Sequence, residues 1–193
     1  HRCPNGLACP AQLAGALEHY GAREALDIEH LGEKTAGLLV AEGLVSDLAG
    51  LYELTAEDVT SLPGFAERSA GQLVDAIDGS RRPSLDRFLY GLGVPGVGQH
   101  LARVLARELG DLDGFLSADV DRLRAVEEVG EETARSIHDF VSAEGTRRVI
   151  ERLLEVGVTP RSAGGAAATL EGLKIVLTGS LSGYTRDEAK DAI

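Results

Sequence analysis

Glycine-containing turns are the parts of this chain whose residue types best suit ligand binding: PGFA at 63–66, PGVG at 95–98 and EEVG at 127–130. Each turn precedes a stretch with apolar residues three and four positions apart, which is the spacing of one helix face. A helix N-terminus leaves backbone N–H groups without partners and carries the positive end of the helix dipole. Because glycine has no Cβ to block a ligand, an anion such as phosphate can bind against these donors.

The turns belong to a twelve-residue repeat that occurs four times without a gap, at 28–39, 62–73, 94–105 and 126–137. Every copy has an apolar residue at repeat positions 1, 4, 9 and 12. Position 3 is His30, Gly64, Gly96 or Glu128, and position 5 is Gly32, Ala66, Gly98 or Gly130. A repeat of this kind predicts one supersecondary unit stacked four times.

A second helical pattern precedes each turn, for example at 51–62 and 115–126, so each unit is predicted to be a helix, a hairpin turn and a helix. Thr55 and Ser117 are the predicted N-caps of two of these first helices, since each is followed by an acidic residue. A longer helix is predicted over 11–26. The predicted fold class is mainly α, a tandem array of these four units.

Composition and charge constrain the function. A net charge of −12 argues against a broad basic surface for nucleic acid. The objection weakens if backbone N–H groups hold the phosphates, because amides carry no formal charge. We find no signal segment, and no apolar run approaches the roughly 20 residues of a membrane span. The expected location is therefore the cytoplasm, without membrane association.

The repeat resembles the helix-hairpin-helix motif of DNA repair, replication and recombination proteins. PGVG at 95–98 matches the motif fully, whereas PGFA and VEEVG match in part. The resemblance implies sequence-independent binding to the backbone of duplex DNA across the minor groove. His30 and Glu128 replace the first glycine, so units two and three are the favoured contacts. The candidate DNA-binding residues are Gly32, Lys34, Thr35, Gly64, Ala66, Arg68, Ser69, Gly96, Val97, Gly98, Gln99, His100, Gly130 and Thr133.

Cys3 and Cys9 stand five residues apart near the N-terminus, a spacing that alone is weak evidence for zinc. The wider string CPNGLACPAQ, followed by a helical stretch and DIEHLGEKTAG, resembles the second half of the four-cysteine zinc finger of bacterial NAD-dependent DNA ligases. That resemblance implies zinc bound by Cys3 and Cys9 together with two cysteines upstream of His1.

Residues 170–193 resemble the opening strand, loop and helix of a BRCT domain. The predicted organisation is thus a zinc-finger remnant at 1–10, a helix-hairpin-helix domain at 11–157, a linker at 158–169 and a truncated BRCT-like segment at 170–193. The expected hairpin turns lie near 30–32, 64–66, 96–98 and 128–130.

The resemblance implies a parent enzyme that seals DNA nicks in replication and repair, using NAD and Mg²⁺. Such ligases carry AMP on the lysine of a K-x-D-G motif, and Lys34, Lys174 and Lys190 do not stand in one. We therefore expect this segment to be inactive alone. Its expected partners are nicked duplex DNA and the nucleotidyltransferase and OB-fold domains of the same parent chain, with the protein a monomer.

Two other classes of function stay open. Helix-hairpin-helix units also occur as accessory modules of repair nucleases and junction-processing proteins, which would explain the repeat but neither end of the chain. The acidic charge favours a third interpretation, a protein-interaction scaffold.

Overall fold

The apolar repeat residues form the interior of the protein in a computed structural model that describes residues 12–162. Fifteen of the sixteen are buried, and the sixteenth, Phe65, is half-buried against the same core. Full burial of one such side chain is worth about 1.5–3 kcal/mol. The same four repeat positions therefore build the core in every unit.

The described residues fold into ten α-helices, one 3₁₀ helix and no strand, which confirms the predicted mainly α class. Helices α1 and α2 form the first hairpin, α3 and α4 the second, α5 and α6 the third, and α8 and α9 the fourth. None of the helices in this part of the chain is long and apolar enough to cross a membrane. In chain order the elements are α1 Leu13–Gly21, α2 Glu33–Ala41, the 3₁₀ helix Ala49–Glu53, α3 Ala56–Thr60, α4 Glu67–Gly79, α5 Leu85–Gly91, α6 Gln99–Leu109, α7 Leu112–Ser117, α8 Val120–Arg124, α9 Glu131–Ser142 and α10 Glu144–Glu155.

The first helix is shorter than predicted. It ends at Gly21 rather than continuing to residue 26, because the chain turns back there and the Ile28 N–H donates to the Gly21 carbonyl at 3.0 Å. A Cβ on Gly21 would lie 2.8 Å from the Leu31 side chain. Glycine is thus required at this point for α1 to pack against the first hairpin turn.

One of the two predicted N-caps is right and the other is wrong. The Thr55 hydroxyl accepts from the Asp58 N–H, and the Asp58 carboxylate accepts from the Thr55 N–H at 2.9 Å. The Thr55 hydroxyl also donates to the Asp58 carboxylate at 2.6 Å, and this hydrogen bond, together with the one from the Thr55 N–H, lowers the pKa of Asp58. Ser117, in contrast, is the last residue of α7, and Asp119 caps α8 by accepting from the Arg122 N–H at 2.8 Å.

The end of the described chain packs back on its middle. Arg152 of α10 forms ion pairs with Asp47 and, at 2.7 Å, with Glu53. The Thr159 N–H donates to the Arg81 carbonyl at 2.7 Å, and Val158 is fully buried. The first residues of the predicted 158–169 linker therefore belong to the helical domain and hold the fourth unit against the connection between units two and three.

A buried hydrogen-bonded chain joins units one and two. The Tyr20 hydroxyl lies 3.1 Å from the Tyr52 hydroxyl, which in turn lies 2.9 Å from Ser80 Oγ. Burial raises the pKa of both tyrosines, so both hydroxyls stay protonated and can donate hydrogen bonds to their neighbours. Because each polar atom finds a partner, the junction between the two units has one defined register.

We expect Leu105→Ala to lower the free energy of unfolding by about 2–5 kcal/mol, because Leu105 occupies repeat position 12 and is fully buried. Leu154→Ala is the matched control: its side chain is 41% exposed, and we expect a loss below about 1 kcal/mol. Urea unfolding followed by circular dichroism measures both values. Equal losses would contradict the assignment of the repeat positions to the core.

Candidate nucleic-acid interface

All four hairpin turns have the same backbone geometry. The N–H at repeat position 4 donates to the carbonyl at position 1, at 3.2, 3.2, 3.0 and 3.2 Å in units one to four. Position 3 has a positive φ in every unit, 70°, 89°, 79° and 68°. Such a turn favours proline at position 2, where Pro63 and Pro95 stand. The turns lie where the sequence placed them.

Two of the four turns reach this geometry without glycine. His30 and Glu128 adopt the same left-handed conformation as Gly64 and Gly96. A residue with a Cβ pays about 1–2 kcal/mol for that conformation. The replacements therefore leave the path of the turn unchanged and store strain in units one and four.

Repeat position 5 is the N-cap of the second helix in each unit. Its backbone is extended in all four, with φ between −126° and −78°, so the conformation does not require glycine, and Ala66 occupies it in unit two. A Cβ placed on Gly32, Gly98 or Gly130 would meet nothing within 4 Å. Neither backbone strain nor internal packing accounts for glycine at these three places.

The glycines that do allow close helix packing are elsewhere. A Cβ on Gly91 in α5 would lie 2.8 Å from Leu26, and Gly21 in α1 is equally tight against Leu31. Both precede their hairpin turn. The glycines at position 5 instead keep an exposed surface bare, which is what a ligand approaching the backbone requires.

Each turn presents a row of unpartnered backbone donors. The carbonyl at position 5 accepts the N–H of the alanine at position 9, at 2.9 Å in all four units. The amides at positions 6 to 8 have no acceptor among residues 12–162. In unit two the N–H at position 5 is occupied as well, since the Ala66 N–H donates to Ser69 Oγ at 2.9 Å. Three aligned N–H groups at a helix N-terminus can bind one phosphate.

The charge around these donors differs between units. Helix α6 of unit three has no acidic residue in its first turn, whereas the corresponding helices begin with Glu33, with Glu67 and with Glu131 and Glu132. Unit three also has glycine at both positions 3 and 5. Among the four units, unit three therefore has the least acidic first turn in its second helix.

The predicted binding residues fall into three groups by placement. Those that are exposed at the turns are Gly32, Lys34, Gly64, Ala66, Arg68, Gly96, Gly98, Gln99, His100 and Gly130, and those that are half-buried are Thr35, Ser69 and Thr133. Val97 differs, because its side chain is buried and its N–H is bonded to the Val94 carbonyl. No ligand contact tests these positions, and they stay predictions.

The turns of units three and four lie side by side. His100 Nε2 is 3.0 Å from the Glu128 carboxylate, and Ser136 Oγ of α9 is 3.5 Å from the Pro95 carbonyl. In unit four, Glu131 pairs with Arg135 at 2.7 Å. Sequence reasoning missed the contact between His100 and Glu128, because nothing in the repeat specifies which units neighbour each other in space.

The metal prediction cannot be located in the fold, since Cys3 and Cys9 lie outside the described residues. Within 12–162, no group of three or more His, Cys, Asp and Glu side chains is placed to hold a metal ion. The BRCT-like segment at 170–193 also lies outside the described part of the chain.

Comparisons with known proteins agree with this geometry. A family model described as a SAM-like helix-hairpin-helix tandem matches residues 22–78, and one described as a helix-hairpin-helix motif matches 87–150. The DNA ligase of Haloarcula marismortui is 48% identical to this chain over 99% of its residues. The DNA ligase of Salinibacter ruber is 44% identical over 95% of the chain, and that of Coxiella burnetii is 39% identical over 100%. The matched part is 28%, 27% and 29% of those relatives, so the chain spans little more than a quarter of their length.

The fold and the four turns define a tandem helix-hairpin-helix protein. Its relatives are enzymes by name, and they match it from end to end. Along almost its whole length, the chain is similar to one segment of proteins named DNA ligase.

Glu128→Gly tests the strain in the fourth turn. We expect the free energy of unfolding to stay within about 0.5 kcal/mol or to rise. Glycine removes the strain of a Cβ at positive φ, and this gain offsets the greater entropy that glycine gives the unfolded chain. Glu128→Ala removes the same carboxylate and the same contact with His100 but keeps a Cβ at the positive φ, so it should be less stable than Glu128→Gly by about 1 kcal/mol. Thermal unfolding of both variants compares them. A greater loss for Glu128→Gly than for Glu128→Ala would show that the turn carries no such strain.

Proposed function

We propose that this chain is the DNA-gripping segment of an NAD-dependent DNA ligase and binds nicked duplex DNA without regard to base sequence. Backbone amides at the hairpin turns contact the phosphodiester backbone from the minor-groove side. The parent enzyme seals nicks in replication and repair, and this segment holds the nick in place for the catalytic domains. Its contribution to the reaction is therefore positioning.

The observation that carries the proposal is the glycine at repeat position 5. Gly32, Gly98 and Gly130 are exposed, extended and without neighbours within 4 Å of a Cβ, next to amides without acceptors in residues 12–162. A phosphate is an anion that uses both features at once, because it needs several donors and close approach. An uncharged donor set also explains how a chain of net charge −12 can bind a polyanion.

The cofactors of the proposed parent enzyme fall outside the described helices. We propose that Cys3 and Cys9 provide two thiolates of a tetrahedral zinc site that two upstream cysteines complete. NAD and Mg²⁺ would act on the nucleotidyltransferase domain of the same parent chain. Lys34, the one lysine among residues 12–162, is exposed on α2 and followed by Thr35 and Ala36, so this segment does not carry the AMP.

A protein-interaction scaffold is the competing function, since the net charge is acidic. It makes a different prediction for the same surface: a scaffold has no affinity for nicked duplex DNA at any salt concentration. A backbone-amide binder has measurable affinity with a modest dependence on salt, because few counterion-releasing side chains take part.

Gly98→Val tests the proposed function most sharply. A Cβ on Gly98 would meet no protein atom within 4 Å, so we expect the fold to remain and the affinity for a nicked duplex to fall at least about tenfold, the loss of roughly one charge-assisted hydrogen bond. Fluorescence anisotropy with a labelled nicked duplex measures the affinity, and circular dichroism verifies the fold.

Gly15→Val is the matched control, because Gly15 is exposed on α1 and a Cβ there also meets nothing within 4 Å. It adds the same side chain away from the turns, and its affinity should equal that of the unmodified chain. A folded Gly98→Val variant with unchanged affinity would rule out the amides of unit three as the phosphate site.

A further inference from the structure

The arginines of the described chain divide into two groups by their contacts. Residues 12–162 contain fourteen arginines, and nine donate to a carboxylate or a backbone carbonyl. The other five make no side-chain hydrogen bond or ion pair within that range: Arg23, Arg68, Arg82, Arg103 and Arg161. In a chain with such an acidic balance, an arginine left without a carboxylate is a candidate for an external anion.

Three of these five arginines line two adjoining cavities. The larger, of about 610 Å³, is bordered by His30 in the turn of unit one and by Arg82, Arg87 and Arg161. The smaller, of about 190 Å³, is bordered by Gln99 at the start of α6 and by Arg87 and Arg103. Arg87 lines both cavities, so together they form one surface, the arginine furrow, which runs from the turn of unit one to the turn of unit three.

The furrow is built from distant parts of the sequence. Arg82 precedes α5, and Arg103 is on α6. Arg161 follows α10, and its backbone N–H donates to the Pro83 carbonyl at 2.8 Å. Arg87 has an internal role, because its guanidinium donates to the carbonyls of Ala25 and, at 2.6 Å, of Arg23. Arg82, Arg103 and Arg161 are exposed and hold their charges toward solvent.

We propose that the arginine furrow is a second contact surface for duplex DNA, in which Arg82, Arg103 and Arg161 bind backbone phosphates beside the turns of units one and three. The proposal rests on the proposed function and adds a component that amides cannot supply. Guanidinium groups release counterions when they bind phosphate, whereas neutral amides do not, so the furrow sets the salt dependence of binding.

Five carboxylates also line the furrow, one more than its four arginines: Asp27, Glu29 and Asp75 in the larger cavity, and Glu24 and Asp86 in the smaller. Only Asp27 comes within ion-pair distance of a furrow arginine, at 4.0 Å from Arg87. Arg82, Arg103 and Arg161 therefore form no ion pair with a carboxylate of the furrow, whereas the field of these carboxylates opposes phosphate binding. Removing a carboxylate charge, as in Asp75→Asn, should raise the affinity for DNA.

The test measures the affinity of the 193-residue chain for a labelled nicked duplex from about 0.05 to 0.3 M NaCl. The triple variant R82Q/R103Q/R161Q should lower the slope of log affinity against log salt by about 2–3, because each phosphate contact contributes about 0.9. R82K/R103K/R161K keeps the charges and should retain most of the slope.

The control is R107Q/R122Q/R148Q, which removes the same net charge from arginines that line neither cavity. Equal changes of slope in the two glutamine variants would overturn the furrow while leaving the proposed function intact. Absence of DNA binding by the unmodified chain would instead reject the proposed function. If the furrow bound inorganic phosphate but R82Q/R103Q/R161Q left the slope for DNA unchanged, the ligand would be the small anion and the proposal would fail.

Discussion

The structure depends on one repeated hydrogen bond, from the N–H at repeat position 4 to the carbonyl at position 1. It closes a turn that has a positive φ at position 3, and two residues later position 5 has an extended backbone and caps the following helix. The apolar residues at positions 1 and 4 point into the core, so the turn is held from inside while its outer side stays exposed. In each of the four units the second helix therefore begins with N–H groups that have no acceptor among residues 12–162.

Packing between the units turns this local geometry into a shared surface. The buried chain from Tyr20 to Ser80 sets unit one against unit two, and the ion pairs of Arg152 hold α10 against the connection between them. Units three and four meet through His100 and Glu128. Because these contacts use side chains, the backbone donors at the turns are left for a ligand, and an acidic protein retains sites for an anion.

Much of the fold could be predicted because the repeat encodes it locally. Apolar spacing located the second helix of each unit, and the small residues located the turns. Ser117 was assigned the wrong role because an oxygen-bearing side chain followed by acids fits several starting points, and Asp119 forms the actual cap. The helix predicted to residue 26 stops at Gly21 because the chain turns back there and the Ile28 N–H donates to the Gly21 carbonyl, a contact that apolar spacing does not indicate.

The candidate site was predictable at the turns and not between them. The repeat itself predicts a small residue at position 5. Only the structure shows that a Cβ on Gly98 would have no neighbour within 4 Å, so that packing does not explain the glycine. Arg82 and Arg161 are distant along the chain, and only the pairing of the final segment with residues near Pro83 brings them to one furrow. Contacts of this kind have no periodic signal.

The central claim is that backbone amides at the start of α6 hold a phosphate, and the most direct measurement is an amide-resolved NMR titration with nicked duplex DNA. The account predicts that the N–H resonances of Gln99, His100 and Leu101 shift together and saturate at the affinity measured for the whole chain. If those three resonances stayed in place while the chain bound the duplex, the phosphate contact would lie elsewhere and the account would be wrong.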